Sequence, residues 1–423
     1  MRDHELRYVM ANELHARPFP RLEAPCHAVH LAIKPETDAA SRDRAADRAH
    51  LIDLLDRHGA QHPSPGATHY FGTIGKHALK WESHTEFVSY TLFCSGVAAR
   101  PFDGRTFELF PADWLDKAPG VRVTSMLIRV EQVEGWDAIP EKIVDWFVPE
   151  SVAVSRVVDD SAVIAGDFRI DSHGHMRMAV FVKPTTGPNR VGRIIQRLTE
   201  IETYKSMSMI GLATARQLTA EMNRIETDLS HMVGDLKEDI NRPDDTLKAL
   251  LTIAAELEDL STKSTFRFGA TGAYEALIMA RIGALREVRF ESRQTFAEFM
   301  MRRFDPAMRT VKAAETRLAK MTDRAIRAGE LLRTRVDVER SAQNQRLLES
   351  MDKRADLQLR LQKTVEGLSV VAISYYAVNL ALFLAQPVGV AAGIEKVTLA
   401  ALVTPPVVVA VYFLVQRIRK SME

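Results

Sequence analysis

Residues 365–423 read VEGLSVVAISYYAVNLALFLAQPVGVAAGIEKVTLAALVTPPVVVAVYFLVQRIRKSME. Two apolar runs, 367–385 and 397–415, are parted by a short loop containing Pro387, Gly389 and Gly393. Each run is about nineteen residues, and a helix of that length reaches across a hydrocarbon core of roughly 30 Å. Glu395 and Lys396 lie at the mouth of the second run, so neither run carries a charge in its middle. A buried hairpin in a soluble core is the alternative, but two adjacent runs of this length favour a two-helix C-terminal transmembrane hairpin.

The flanks give the orientation. Arg354, Arg360 and Lys363 precede the first run, and Arg417, Arg419 and Lys420 follow the second, whereas the loop holds one Lys. Positive residues stay on the cytoplasmic side. Both flanks are therefore expected in the cytoplasm and the loop outside. The N-terminal stretch MRDHELRYVMANELHARP lacks the apolar core of a signal peptide. The body before Thr364 is accordingly expected to be cytosolic, held at a bacterial inner membrane by its C-terminal hairpin.

Charge is nearly balanced, 56 basic against 55 acidic residues, which supplies no field to recruit nucleic acid. Cys26 and Cys94 are too few for a disulfide framework and suit a reducing compartment. Residues 1–188 read as an α+β domain. Strand-like runs fall at 28–33, 87–93, 121–130, 152–158, 162–170 and 176–182, and helical stretches at 39–58 and 139–147. From 189 to 364 the pattern turns helical, and no proline interrupts it between Pro306 and Pro387. Leu347, Met351, Leu361, Val365 and Leu368 keep near-helical spacing towards the first apolar run. This region is expected to be a long, coiled-coil-like stalk, because a helix of such length needs partners along its apolar stripe. The hairpin then occupies 365–416 and a basic cytoplasmic tail 417–423.

Five segments carry a resemblance that runs in order along the chain: NELHARPF (12–19), KWESHTEF (80–87), RLTEIETYK (197–205), TFRFGA (265–270) and LQKTVEGLS (361–369). With them the chain resembles a bacterial membrane-anchored family, domain of unknown function 3422. The resemblance implies a full-length family domain ending in a membrane hairpin, with no established activity and no catalytic residues to carry over. In layout alone the chain is similar to CorA-type magnesium channels, which also follow an α/β domain with a long helix entering the first of two C-terminal spans. Their Gly-Met-Asn pore signature has its nearest counterpart at Ala377, Val378 and Asn379, where the Gly and Met are replaced.

Glu13, His15 and Arg17 alternate, as do Glu82, His84 and Glu86, a spacing that puts side chains on one face of a strand. His15, His84, Glu86, His173 and His175 form a candidate divalent-metal set, since imidazole and carboxylate suit zinc, iron or manganese. The competing reading pairs Arg17 with Glu82 and Glu86 as ion pairs. No HExxH, CxxC, EF-hand, GxSxG or P-loop pattern occurs, so catalytic residues stay unassigned and no cofactor is evident. Tyr375, Tyr376 and Asn379 are polar features of the first apolar run, suited to helix contacts or to a pore lining. The leading reading is a non-enzymatic scaffold or sensor that self-associates at the membrane. A CorA-like divalent-cation channel is the runner-up and a metal-dependent enzyme the third.

Overall fold

Strand β1 (Cys26–Lys34) organises the fold because its sequence, CHAVHLAIK, is apolar on both sides of the pleat. In the computed structural model Val29, Leu31 and Ile33 enter one core and Ala28 and Ala32 another. The structure describes residues 2–13, 19–37, 41–235 and 243–422. It divides into two units, one of residues 1–240 with 248–328, the other of 241–247 with 329–423.

In the first unit β1 joins β2 (His69–Ile74), β3 (His77–Ser83), β4 (Val88–Ser95), β5 (Val121–Gln132), β6 (Ala153–Val157), β7 (Ala162–Ile170), β8 (Met176–Val182) and β9 (Val288–Arg289) in one sheet. The order is β2-β3-β4-β1-β5-β8-β7-β6-β9. Every described pairing is antiparallel except β5 with β8, which joins two antiparallel halves. The expected β7–β8 hairpin is present, with Ala162 opposite Val182. The β2–β3 hairpin was not expected from the sequence; it turns at Gly75, whose φ of 56° suits a residue without a Cβ.

Helix α1 (Arg7–Glu13) precedes the sheet. On one face of β1 to β5 lies α2 (Arg44–Arg57), whose Leu51, Leu54 and Leu55 meet Trp81, Tyr90 and Trp114. Each buried leucine contributes roughly 1.5–3 kcal/mol. Asp43 caps α2 through bonds from the Ala45 and Ala46 N–H groups. His50 locks this layer to the short α3 (Ala112–Leu115). Its ring stacks 3.9 Å from Trp114 and bonds the Trp114 carbonyl at 3.0 Å, and the Trp114 indole N–H bonds the His50 carbonyl at 2.9 Å. Helix α4 (Ile139–Trp146) covers the other half of this face, with Ile139, Ile143 and Trp146 over Val163 and Phe181.

The opposite face carries α5 (Pro188–Asp235) and α6 (Pro243–Leu285), then α7 (Phe296–Arg303) and the start of α8 (Asp305–Ala391). Val191, Ile194, Ile195, Leu198 and Ile201 of α5 share a core with Met126, Ile128, Met178 and Val180 of the sheet. That core continues without a break through Leu250 and Leu257 of α6 to Met308, Val311 and Leu318 of α8. Ion pairs knit the three helices: Arg224 to Glu256 at 2.6 Å, Lys312 to Glu275 at 2.9 Å and Arg317 to Glu226 at 2.9 Å. The division expected at residue 188 therefore falls inside one hydrophobic core. The region expected as a stalk in part forms that core and returns β9 to the edge of the sheet.

The second unit holds the remainder of α8 and α9 (Lys396–Met422). The turn between them closes through the Ile394 N–H on the Gly389 carbonyl at 3.0 Å, with Gly393 at φ 69°. Leu399 packs on Gly389, where a Cβ would come within 2.8 Å of it. Both helices contain a window long and apolar enough to cross a membrane, with mean hydropathy 1.9 and 2.2. Only 6% of either window is buried, unlike a core helix of a soluble protein.

Glu287 ties α7 to the sheet and gives the first unit a pH dependence. Its carboxylate accepts the Ala297 N–H at 3.0 Å, and Ser155 accepts the neighbouring Phe296 N–H at 3.2 Å. Burial pushes its carboxyl up to about 7, partly offset by the Ala297 N–H and the Thr295 and Ser155 hydroxyls. The folded protein therefore holds this proton where the unfolded chain, with an ordinary value of 4.5, has lost it. Stability from this group is full below that value and is lost as pH rises towards 7. Glu287→Gln is expected to flatten this part of a plot of thermal midpoint against pH and to raise the midpoint at pH 8. An unchanged slope would show that Glu287 does not titrate there.

Candidate functional site

Three of the segments singled out in the sequence meet on the α5 side of the sheet, all within the first unit. KWESHTEF runs from β3 through the turn that leads to β4, RLTEIETYK lies in α5, and TFRFGA lies in α6. The side chains they bring together form two layers, a buried polar layer and an aromatic cleft.

The polar layer begins at His30, 3% exposed. The Thr203 hydroxyl donates to the Thr199 carbonyl at 2.8 Å, as helix interiors allow, so it must accept from His30 Nε2, also at 2.8 Å. His30 Nδ1 is then the acceptor for the Thr91 hydroxyl at 2.8 Å. Burial pushes the imidazole down to about 3, with Glu82 pulling up and Lys80 pushing down, so it stays neutral at physiological pH. Lys80 and Glu82, neighbours on the same face of β3, pair at 2.9 Å. With Gln196 and Glu200 these groups enclose a space of about 20 Å³, room for a single water. Gln196 donates to Glu200 at 2.8 Å, while its own buried oxygen has no donor among the described residues. Arg281 of α6 pairs with Glu200 from the other side.

Beside this layer Glu86, 1% exposed, accepts from the Arg267 guanidinium and from the Tyr274 hydroxyl at 3.1 Å. Burial and the Glu86 charge both raise the Tyr274 phenol, which keeps its proton and donates. Tyr274 stacks on Tyr204 with centroids 5.5 Å apart, and Phe87 lies 6.3 and 6.4 Å from the two rings. His84 stacks on Phe87 at 4.2 Å. Arg42, its side chain buried, straps the 83–85 turn by donating to Ser83 Oγ at 2.9 Å and to the His84 carbonyl, while pairing with Asp47. Burial raises the Asp47 carboxyl despite that partner.

These groups wall a cleft of about 750 Å³, lined by His84, Glu86, Tyr204, Phe266 and Tyr274, with Arg44 also on its lining. Its α6 side is built from Gly269, Ala270 and Ala273, whose small side chains leave the space open. Such a cavity, mostly apolar with a few fixed polar groups, suits a small organic ligand. Ser83 is held by Arg42 and both oxygens of Glu86 are engaged. The polar groups of the cleft are thus held by bonds to other parts of the unit.

The candidate metal ligands are not gathered here. His84 and Glu86 line this cleft. His175 bonds Ser125 at 2.8 Å and packs 4.2 Å from Phe107, in the core on the opposite face of the sheet. Its imidazole is lowered by burial. His173 lies against Gly104, at the same end as Phe107. His15, Arg17 and the side chain of Glu13 lie outside the described residues. Among the described residues no three His, Cys, Asp or Glu side chains come together to hold a metal. Tyr375, Tyr376 and Asn379 are exposed on α8 in the second unit. Sequence reasoning missed Arg267, Tyr204 and Tyr274. The first two stand inside segments already quoted, but nothing in their spacing pointed to a partner so far along the chain.

An α+β unit with an aromatic cleft, followed by long helices and two apolar C-terminal helices, is the class that fold and site define. The chain belongs to the family described as protein of unknown function (DUF3422), whose model matches residues 2–422. Comparison with curated proteins gave no match.

Removing the cation from a buried pair leaves a desolvated carboxylate, a cost of about 3–5 kcal/mol. Arg267→Met should therefore lower the thermal midpoint by several degrees, and adding Glu86→Leu should restore most of it. A double variant as unstable as the single one would show that the pair is not what anchors α6 to the 83–87 turn.

Proposed function

We propose that this protein is a non-enzymatic, membrane-anchored sensor that binds a small organic ligand in the Glu86–Tyr274 cleft and works as a homo-oligomer at the bacterial inner membrane. The cleft carries the reading. It combines a broad aromatic wall with polar groups whose positions are fixed by other bonds, an arrangement for recognition more than for turnover. The two apolar helices supply the anchor. The basic residues before the first window and after the second support a cytoplasmic side for both flanks. Self-association rests on Leu347, Met351, Leu361, Val365 and Leu368, all more than half exposed along α8. An apolar stripe of this kind in water is stabilised by burial against another helix. Asn379, exposed within the first window, supplies a polar contact between copies there.

Two measurements test these parts separately. A topology reporter fused after Glu423 should read cytoplasmic, and one inserted at Gly393 periplasmic; a cytoplasmic signal at Gly393 would remove the hairpin. For the cleft, a Cβ at Gly269 meets no atom within 4 Å, so a side chain there enters open space. Gly269→Ala should be neutral or stabilising by up to about 1 kcal/mol, whereas Gly269→Trp should occlude the cleft. Tyramine and 4-hydroxyphenylacetate, aromatic probes of opposite charge, should be tested against both variants by thermal shift of the full-length protein. Stabilisation of the wild type by one probe and its loss in Gly269→Trp is the expected result. Equal shifts in the wild type and Gly269→Trp would place binding elsewhere.

A further inference from the structure

A second cleft in the first unit, of about 240 Å³, lies where the 149–152 loop meets α7 and the segment before it. Its lining includes Arg293, Arg302 and Arg303, against a single carboxylate, Glu150. None of the three guanidinium groups has a hydrogen bond or ion pair among the described residues. A fourth, Arg169, reaches the rim from β7, its Nε donating to Ser151 Oγ at 3.0 Å. The apolar wall is Phe299, stacked at 4.0 Å on Phe168.

The ordinary account of basic residues at this position covers half of the cluster. Arg302 and Arg303 stand in the last turn of α7, where cations complement the carbonyl end of a helix. Arg293 comes from the chain before α7 and Arg169 from a strand, and that preference places neither of them. Like charges crowded around one concavity repel each other and focus a positive potential into it. Several other arginines of this unit have a carboxylate partner, as Arg42 has Asp47, Arg281 has Glu200 and Arg317 has Glu226. At this cleft the lining supplies one carboxylate, Glu150, against three guanidinium groups.

We propose that this cleft binds a phosphate group. Guanidinium donors form a planar fork that meets phosphate oxygens in pairs, and several of them together suit a multiply charged tetrahedral anion better than a single carboxylate. Phe299 offers the organic part of a phosphate ester an apolar surface. The same chemistry is carried by a soluble phosphate and by an anionic phospholipid headgroup. The site shares no lining residue with the Glu86–Tyr274 cleft and stands independently of the function proposed there.

The test uses the full-length protein in a neutral detergent, with binding measured calorimetrically at matched ionic strength. The probes are inorganic phosphate and monomeric dihexanoyl phosphatidylglycerol, with sodium chloride as the reference. Saturable binding of at least one probe is expected. Its affinity should fall at least tenfold in Arg302→Gln/Arg303→Gln and in Arg293→Gln, and stay unchanged in Arg327→Gln, an exposed arginine remote in sequence from the cleft. Tighter binding of the lipid assigns the site to a headgroup, and tighter binding of phosphate to a soluble ligand; either supports the proposal. Binding of neither probe beyond the chloride reference overturns it, as does binding that survives in both cleft variants.

Discussion

Desolvation of charge on the α5 side of the sheet is the constraint on which the rest of the first unit depends. A sheet covered on both faces has no water for its polar side chains, and an unpaired buried group costs far more than a paired one gains. Here β1, β3 and β4 turn His30, Lys80, Ser89 and Thr91 towards α5, each less than a tenth exposed. The helix answers with Thr199, Glu200 and Thr203, and α6 adds Arg267 and Arg281. The position of α5 is therefore fixed by bonds with direction as well as by hydrophobic area. Apolar packing alone would tolerate sliding; a neutral imidazole held between two threonine hydroxyls does not.

The same constraint accounts for the cleft. Glu86 is buried at the 83–87 turn and needs a cation, and Arg267 reaches it from α6, 181 residues later in the chain. Arg42 makes the matching connection from the α2 side of the turn. With both sides of the turn fixed, the rings of Phe87, Tyr204 and Tyr274 are held at aromatic contact distances. The small side chains of Gly269, Ala270 and Ala273 leave the space beside them unfilled. A fold selected only for packing fills such a space at modest cost, since overpacking arises only where volume is already taken. In the sensor reading that retained space is where recognition occurs.

The sequence made some of this legible and hid the rest for identifiable reasons. The two apolar runs, the strands that became β1 and β4 to β8, and the helices α2 and α4 follow from periodicity, because their side chains obey the simple division of apolar inside and polar outside. Strand β3 does not obey it. Leu79 and Trp81 enter the α2 core, but Lys80 is buried and Glu82 half-buried on the opposite face, and a strand with charges on such a face reads as a loop. The boundary expected at residue 188 failed for a related reason. A change from strand pattern to helix pattern marks a change of secondary structure, while a domain boundary requires a core that closes. Val191, Ile194 and Leu198 instead complete the core opened by Met126 and Val180. In the candidate site, residues 80–87, 197–205 and 265–270 were visible as carriers of the family resemblance and not as a site. Their convergence was not, since an ion pair between Glu86 and Arg267 leaves no trace in local spacing.

If the cleft senses a ligand as proposed, helix α8 is the element its signal has to use. Met308, Val311 and Leu318 on its first turns belong to the core of the first unit, and its later residues carry the first apolar window. Lys312 pairs with Glu275, one residue from the Tyr274 that lines the cleft. A ligand can bias such an element only by the difference in its affinity for two arrangements of it. Tyr274 is the group able to create that difference, because its hydroxyl is committed to Glu86 while its ring forms the cleft wall. In the sensor reading, a ligand that takes over the bond to Glu86 frees the Tyr274 hydroxyl, while Arg267 still ties α6 to the 83–87 turn. One that leaves the bond intact only adds area to a fixed wall, stabilising the unit without moving α8. In the sensor reading, the hydroxyl of Tyr274 is thus the point at which occupancy of the cleft and signalling through it part.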